Sequence, residues 1–287
     1  MHPDPPGKRV CYYSPMIFDT HCHGYWRGLA HRQEELRENM RRAEVARSVH
    51  IGTDLETSRA AMTLARAWGA GAWCTAGFHP TGCQRLPPEG ARECAERLED
   101  FVRENRDIVV GIGETGLDYF HLARGNREEQ KRAQRAYFAA QASLALRLDL
   151  PLIVHTRDAA ADTIALIRES GVRRAVIHCF SESPEFAREL LSRSPEIRFS
   201  FSGILTYATA AGVQAAARSL PLDRILVETD APFLVPQAVR GAFKTNEPAF
   251  VRHVMDFLKT LRPEPAGEVE EAVWENSNGF FGLDGPA

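Results

Sequence analysis

Eight short β-rich runs alternate with longer amphipathic stretches along the 287 residues of this chain. Between the runs, apolar side chains recur at spacings of three and four residues, and this spacing predicts helices. Strands separated by helices predict a parallel sheet, because parallel neighbours need crossover connections. The candidate strands are Met16–Thr20, Arg47–Ile51, Ala72–Phe78, Ile108–Ile112, Pro151–Val154, Ala175–Ile177, Ile197–Phe201 and Ile225–Glu228.

Eight is also the number of strands that closes a (β/α)8 TIM barrel, whose typical length is about 250 residues. An open, doubly wound sheet is the alternative architecture. No linker rich in proline or glycine divides the chain. We therefore expect a single α/β domain at residues 16–287, preceded by an N-terminal extension at residues 1–15.

Charge and cysteine content limit the partners and the compartment. The formal net charge is −3, which argues against a module that binds nucleic acid through charge alone. The six cysteines include no CxxC pair, as is usual for reduced thiols in the cytosol. No apolar run reaches the ~18 residues that a membrane span requires, and the N-terminus lacks the apolar core of a signal peptide. We expect a cytoplasmic protein that does not associate with a membrane and does not need an obligate protein partner.

Histidine and carboxylate side chains lie at or just beyond the ends of the candidate strands. In a parallel barrel all strands end at one face, where the loops build the active site, so these residues are expected to converge there. The segment Asp19-Thr-His-Cys-His23 is the sharpest motif, because alternation along a strand places His21 and His23 on one side, together with Asp19. Two imidazoles so placed can chelate one metal ion. The candidate metal ligands are His21, His23, Glu114, His155, His178 and Asp230.

Six ligands exceed the three or four of one tetrahedral zinc site, but they suffice for two cations that share a bridging carboxylate. None of the four lysines ends a candidate strand, so a carboxylated lysine is not expected as the bridge, and Glu114 is. The surrounding GxGxxG pattern (residues 111–116) matches a dinucleotide fingerprint, but no amphipathic helix follows it. These glycines are better explained by the turn that presents Glu114 to the barrel mouth.

Nucleophilic catalysis has less support in the sequence. No GxSxG elbow occurs, and the cysteines nearest to candidate histidines, Cys22 and Cys179, alternate away from the site. Glu228 and Asp230 form an acidic pair after the last strand, one expected to be a ligand and the other its hydrogen-bonding partner.

Several segments taken together resemble the TatD-family metal-dependent hydrolases of the amidohydrolase superfamily. They are FDTHCH (18–23), GFHP (77–80), GETGLDY (113–119), HTRDA (155–159), HCFS (178–181), ETDAPFL (228–234), NEP (246–248) and NGFFG (278–282). The resemblance implies a (β/α)8 barrel with two divalent metal ions and deoxyribonuclease or phosphodiester hydrolase activity. It starts at Met16, so residues 1–15 lie outside it.

The resemblance also implies roles for individual residues. His21, His23 and Asp230 would hold one metal ion, His155 and His178 the second, and Glu114 would bridge them. His79 would lie beside the substrate. Two departures concern the loops: Gly24-Tyr-Trp26 follows His23 where the family has Leu-Asp, and Ala-Phe separates Arg240-Gly241 from Lys244.

The mechanism expected from these features is hydrolysis by a metal-activated water whose proton passes to Asp230. His79 and Arg157 are expected to hold the phosphate of DNA or of another phosphodiester, which would bind transiently. The ligand set is compatible with zinc, magnesium or manganese. Two alternatives remain: hydrolysis of an amide or ester in a small or tRNA-linked substrate, and a non-catalytic binding scaffold.

Overall fold

A computed structural model describes residues 16–194 and 196–283 of the chain. The expected N-terminal extension at residues 1–15 lies outside the described residues. None of the helices formed by the described residues combines the length and the hydrophobicity that a bilayer crossing requires.

The described residues contain eight parallel strands in the order β1 to β8. The first and last strands meet at the bridge between Cys22 and Ala231. There the amide of His23 donates to the carbonyl of Ala231 at 2.7 Å, and the amide of Asp230 donates to the carbonyl of His21 at 2.9 Å. This closure confirms the predicted (β/α)8 barrel and excludes the open sheet. The strands are β1 Ile17–Cys22, β2 Val45–Ile51, β3 Ala72–Ala76, β4 Val109–Asp118, β5 Leu152–Arg157, β6 Ala175–Ile177, β7 Arg198–Phe201 and β8 Ile225–Val227.

Helices cover the outside of the barrel, and their apolar faces pack on the outward side chains of the strands. The longest, α5, begins at the N-cap Asn126, whose side chain accepts from the amide of Glu129. The helices are α1 Gln33–Arg42, α2 Leu55–Trp68, α3 Pro80–Cys83, α4 Ala91–Glu104, α5 Arg127–Leu148, α6 Ala160–Ser170, α7 Pro184–Arg193, α8 Ala211–Ser219, α9 Val251–Leu261 and α10 Ala266–Phe281.

Strand β4 is longer than predicted, and this length positions the site. The expected end was Ile112, but the strand continues through Glu114 to Asp118. The register against β5 shifts between Ile112 and Thr115, where Gly113 adopts a φ of +128° that L side chains rarely adopt. Because pairing resumes beyond this irregularity, Glu114 lies within the strand. Strand β4 ends at Asp118 and the next helix, α5, begins only at Arg127, whereas a dinucleotide-binding fold requires a helix directly after the glycine-rich turn.

The interior of the barrel is a separate apolar cluster, contributed by β1, β2, β4, β5, β6, β8 and the end of α10. Phe280 and Phe281 of α10 enter this cluster, and Phe281 lies 5.8 Å from Phe18 between ring centroids. The guanidinium of Arg47 lies over Trp274 at 5.1 Å and donates to Asn278 of the same helix. Helix α10 therefore closes the floor of the barrel and leaves the opposite end, where the strands terminate, as the open mouth.

Candidate metal centre

All six predicted metal ligands, and His79 with them, converge at the mouth of the barrel. Their ligand atoms form three overlapping groups, within each of which the atoms lie within 4.8 Å of one another. The side chains are borne by β1, β4 and β5 or by residues that follow β1, β3, β6 and β8 within three positions. The groups are His21, His23 and Asp230; His21, Glu114 and His178; and His79, Glu114 and His155.

Glu114 is the centre of this arrangement, because its two carboxylate oxygens face different sides. Oε1 lies 2.8 Å from Nε2 of His178 and 3.1 Å from Nδ1 of His155. Oε2 lies 3.6 Å from Nε2 of His21 and 4.0 Å from Nε2 of His23. Asp230 completes the second side, with Oδ1 at 3.6 and 3.5 Å from the same two nitrogens. This is the placement that a bridging carboxylate requires.

The local fold places Glu114 at this point and keeps it ionised. Gly77 packs so closely on the backbone of Gly113 that a Cβ atom would lie 2.4 Å from its carbonyl carbon, so β3 and β4 can approach there. Burial alone would raise the pKa of Glu114, but the surrounding histidines, His178 foremost, lower the pKa well below its usual range. The residue is therefore a buried carboxylate.

Hydrogen bonds identify a proton-bearing nitrogen in three of the four candidate ligand histidines. Nδ1 of His23 lies 3.0 Å from the carbonyl of Ile51, which only accepts, so this nitrogen donates. Nδ1 of His178 donates to Glu228 at 3.3 Å, and Nε2 of His155 donates to Asp118 at 3.1 Å. In the neutral form of each ring the opposite nitrogen then presents a lone pair to the centre. This pairing of a ligand histidine with an acceptor is typical of metal sites.

Two further observations fit a cation at this centre. Nδ1 of His155 and Nε2 of His178 lie only 3.2 Å apart, an arrangement that a shared positive charge stabilises. Both ring nitrogens of His21 are buried and, among the described residues, have no hydrogen-bond partner. Imidazole and carboxylate donors together suit zinc, manganese or magnesium. The residues present therefore fit divalent metal ions.

His79 differs from the other histidines in the nitrogen it turns to the centre. Its Nδ1 accepts from the amide of Thr81 at 3.2 Å and lies 2.7 Å from the hydroxyl of the same residue. Since an amide can only donate, the proton of the neutral ring is on Nε2, which lies 3.2 Å from Oε1 of Glu114. Burial lowers the pKa of His79 and so favours the neutral ring. His79 therefore offers a donor to the centre, where His23, His155 and His178 as neutral rings offer acceptors.

Asp19 does not join the ligand cluster, contrary to the alternation argument. The register of β1 against β2 is irregular between Asp19 and Cys22, which interrupts the alternation. The buried carboxylate instead accepts from the amide and the hydroxyl of Thr229 at 2.8 and 2.7 Å. Because Thr229 precedes Asp230, Asp19 ties the segment after β8 to β1, the strand that carries His21.

The remaining predicted residues lie around the centre. Arg157 is exposed at the end of β5, with its guanidinium 4.1 Å from the ring centroid of Phe120. Glu228 is the hydrogen-bonding member of the acidic pair and also accepts from the amide of Cys179 at 2.7 Å. Burial raises the pKa of the Cys22 and Cys179 thiols well above the usual value, so neither is a thiolate nucleophile.

Sequence reasoning missed two glutamines of α5 that support the site. Gln141 accepts from the amide of Phe78 at 2.8 Å and donates to its carbonyl at 3.0 Å. Gln134 does the same for Asp118, at 2.8 and 2.9 Å. The two glutamines are seven residues apart and fully buried, so a polar pair at helical spacing within an apolar stripe was the available signal.

Comparison with known proteins agrees with this architecture. The family model described as TatD related DNase matches residues 18–282. The metal-dependent hydrolase YabD of Bacillus subtilis is 31% identical over 271 residues, which cover 94% of this chain and 100% of YabD. The metal-dependent hydrolase TatD of Mycobacterium tuberculosis is 33% identical over 242 residues, 84% of this chain and 88% of that protein. The crystal structure of the TatD homolog YJJV from Escherichia coli superposes with a TM-score of 0.81 at 26% identity and covers 93% of this chain and 98% of its own.

The family match spans nearly all of the described residues, and it includes every residue of the centre at the barrel mouth. The resemblance expected from the motifs is thus confirmed. This chain is a metal-dependent hydrolase and belongs to the family of TatD-related DNases.

Proposed function

We propose that this protein hydrolyses phosphodiester bonds, as a deoxyribonuclease or a related phosphodiesterase, with two divalent cations bound on either side of Glu114. The observation that carries the proposal is the separation of the two carboxylate oxygens. Oε1 faces His155 and His178, whereas Oε2 faces the nitrogens of His21 and His23. Each side has donors for one cation, and a pair of cations is the usual means of balancing charge in phosphodiester hydrolysis.

Bound divalent cations would supply an activated water and offset the negative charge that develops on the phosphate. Asp230 is the residue that accepts the proton of the attacking water, because burial opposes its ionisation but His23 and His21 lower its pKa below the usual value. A carboxylate that remains ionised at neutral pH can act as this base.

His79 is assigned the contact with the phosphate or the leaving oxygen. Its Nε2–H faces the centre, and a nitrogen that carries a proton cannot also ligate a cation. The same N–H can donate to a phosphate oxygen or to the leaving group as charge develops there. The proton on Nε2 therefore supports a role for His79 as a catalytic residue, and not as a seventh metal ligand.

Arg157 is assigned the binding of the substrate phosphate. Its guanidinium is held against the Phe120 ring by a cation–π contact and stays exposed at the mouth. A guanidinium so oriented can donate two hydrogen bonds to a phosphate. Lys244 and Arg240 are on the loop after β8, where Arg240 packs over Tyr207 at 5.0 Å.

The experiment combines metal analysis with a substrate panel. We expect purified protein to hold two equivalents of metal and to hydrolyse single-stranded oligodeoxynucleotides and bis(p-nitrophenyl) phosphate, and not aryl esters, anilides or aminoacyl-tRNA. Glu114→Gln should lose both metal equivalents and the hydrolytic activity. Glu271→Gln, which changes an exposed carboxylate on α10, should retain the two metal equivalents and the activity.

Other results would point to the alternatives. Turnover of esters or amides without turnover of phosphodiesters would make the protein an amide or ester hydrolase on the same centre. A single equivalent of metal that Glu114→Gln leaves in place would refute the bridge. Metal binding without hydrolysis of either panel would indicate a binding scaffold.

A further inference from the structure

Two exposed aromatic rings stand beside the candidate metal centre. Trp26 and Phe233 are 41% and 44% exposed, and their ring centroids lie 5.6 Å apart at an interplanar angle of 69°. We call this pair the aromatic corner. Its rings lie 6.4 and 6.2 Å from the ring of His23, one of the candidate metal ligands. An exposed apolar patch of this kind next to a polar centre indicates a binding surface.

The backbone fixes the aromatic corner relative to the centre. The amide of Trp26 donates to the carbonyl of His23, and the amide of Phe233 donates to the carbonyl of Asp230, each at 2.9 Å. Trp26 therefore lies three residues after His23, and Phe233 lies three residues after Asp230, each at the end of a hydrogen-bonded turn. Asn246, which is fully buried, donates to the carbonyl of Phe233 at 2.7 Å. The corner is thus supported independently of whatever binds to it.

The geometry of the pair suits a flat aromatic partner. At 69° one ring can offer its face while the other offers its edge to the same planar group, and both arrangements are favourable for aromatic pairs. Aliphatic groups would gain contact area here but not these oriented contacts. The sequence segment that carries Trp26 is also the one that departs from the family pattern after His23.

We propose that the aromatic corner binds the base of the nucleotide whose phosphate lies at the metal centre, an inference that rests on the proposed phosphodiesterase function. A nucleotide carries its base one sugar away from its phosphate, and the ring centroids of the corner lie 6.2 and 6.4 Å from that of His23. Base stacking on aromatic side chains is tolerant of sequence, because every base has a π-face. With a net charge of −3, the protein has little cationic excess for the backbone, and stacking supplies affinity that charge does not.

The test compares two small ligands that differ only in the base: deoxyadenosine 5′-monophosphate and 2-deoxyribose 5-phosphate. Their affinities are measured by calorimetry on the metal-loaded protein. We expect the nucleotide to bind roughly 5- to 150-fold more tightly than the sugar phosphate, as one stacked base contributes. Trp26→Leu and Phe233→Leu, which keep bulk but remove the ring, should each reduce this ratio severalfold, and Trp26→Phe should restore most of it.

Two controls keep the result interpretable. Leu146→Ala removes an exposed apolar side chain near the end of α5 and should leave the ratio unchanged. The affinity for 2-deoxyribose 5-phosphate, which reports the phosphate site alone, should be equal in the wild type and both ring variants. Thermal unfolding of each variant establishes that it is folded.

The outcomes separate this proposal from the proposed function. Equal binding of the two ligands by the wild type, or a ratio that neither ring variant changes, would overturn the aromatic corner as a base site, even if oligonucleotides are hydrolysed. A base-dependent ratio that both ring variants lose would support the corner, even if no oligonucleotide is cleaved, and only the proposed function would then fail.

Discussion

Replacing Gln141 with methionine should lower both stability and turnover while leaving the metal ligands untouched. The side chain of Gln141 on α5 makes four hydrogen bonds: two with the backbone of Phe78, one from Nε2 to the hydroxyl of Thr115 at 2.7 Å, and one from Nε2 to the carbonyl of Tyr137 at 3.2 Å. Methionine has nearly the same length but cannot make them. Gln141→Met therefore tests whether a helix side chain positions His79, the residue after Phe78.

The structure sets the expected magnitude. Leaving a buried donor or acceptor unsatisfied costs about 1–3 kcal/mol for each group. The carbonyl of Phe78 retains a contact from the Cys83 thiol at 3.5 Å, so the main losses are the Phe78 amide and the Thr115 hydroxyl. We expect the free energy of unfolding to fall by about 2–4 kcal/mol. A displaced His79 should lower kcat by roughly 10²-fold, as small misplacements of a reacting group do.

The assay measures urea unfolding, metal content and kcat on the same preparation. Ser143→Met places the same side chain at an exposed position two residues further along α5 and should change the free energy of unfolding by less than about 0.5 kcal/mol. A loss of metal in parallel with kcat would refute the reasoning, because the damage would then extend beyond His79. A Gln141→Met variant with the same free energy of unfolding as the wild type would also refute the reasoning.

Three further perturbations follow from the same structure. His79→Ala should keep its metal content and lose roughly 10²–10³ in kcat; loss of metal on elemental analysis would instead make His79 a ligand. Asp118→Asn should weaken metal binding about 10- to 100-fold in competition with a chromophoric chelator, because the group that accepts from His155 Nε2–H loses its negative charge, and an unchanged affinity would contradict this. Phe280→Ala should lower the free energy of urea unfolding by about 3–5 kcal/mol, since its ring fills the barrel floor, whereas Phe243→Ala at a 44% exposed ring should cost little.

The sequence was sufficient to predict which residues converge. Glycines and prolines separate the β-rich runs, and the shared direction of parallel strands then places His21, His155 and Asp230 at one end whatever their separation along the chain. The prediction needed the order and direction of the strands, and not their lengths. The predicted convergence of these residues was therefore correct although the end of β4 was wrong: β4 ends six residues beyond the predicted Ile112.

What the sequence could not provide was the direction of individual side chains. Alternation predicted Asp19 on the same side as His21 and His23, but a local irregularity of register interrupts the alternation, and such irregularities have no sequence pattern of their own. The roles of His79 and His23 differ only in whether Nδ1 meets a donor or an acceptor. That distinction depends on the neighbouring backbone at Thr81 and Ile51, which only the folded chain brings into place.

The position of α10 has a consequence for the synthesis of this protein. Phe280 and Phe281 belong to the last helix, yet they pack in the same interior cluster as Phe18 of the first strand. A nascent chain that has emerged from the ribosome only as far as Asp230, just after β8, carries every candidate metal ligand but still exposes the apolar floor of its barrel. We therefore expect nascent chains to stay bound by chaperones or open to proteases until the last turns of α10 have packed into the barrel. A message truncated before Ser277 should yield chains that are degraded in the cell, although each contains a complete set of histidines.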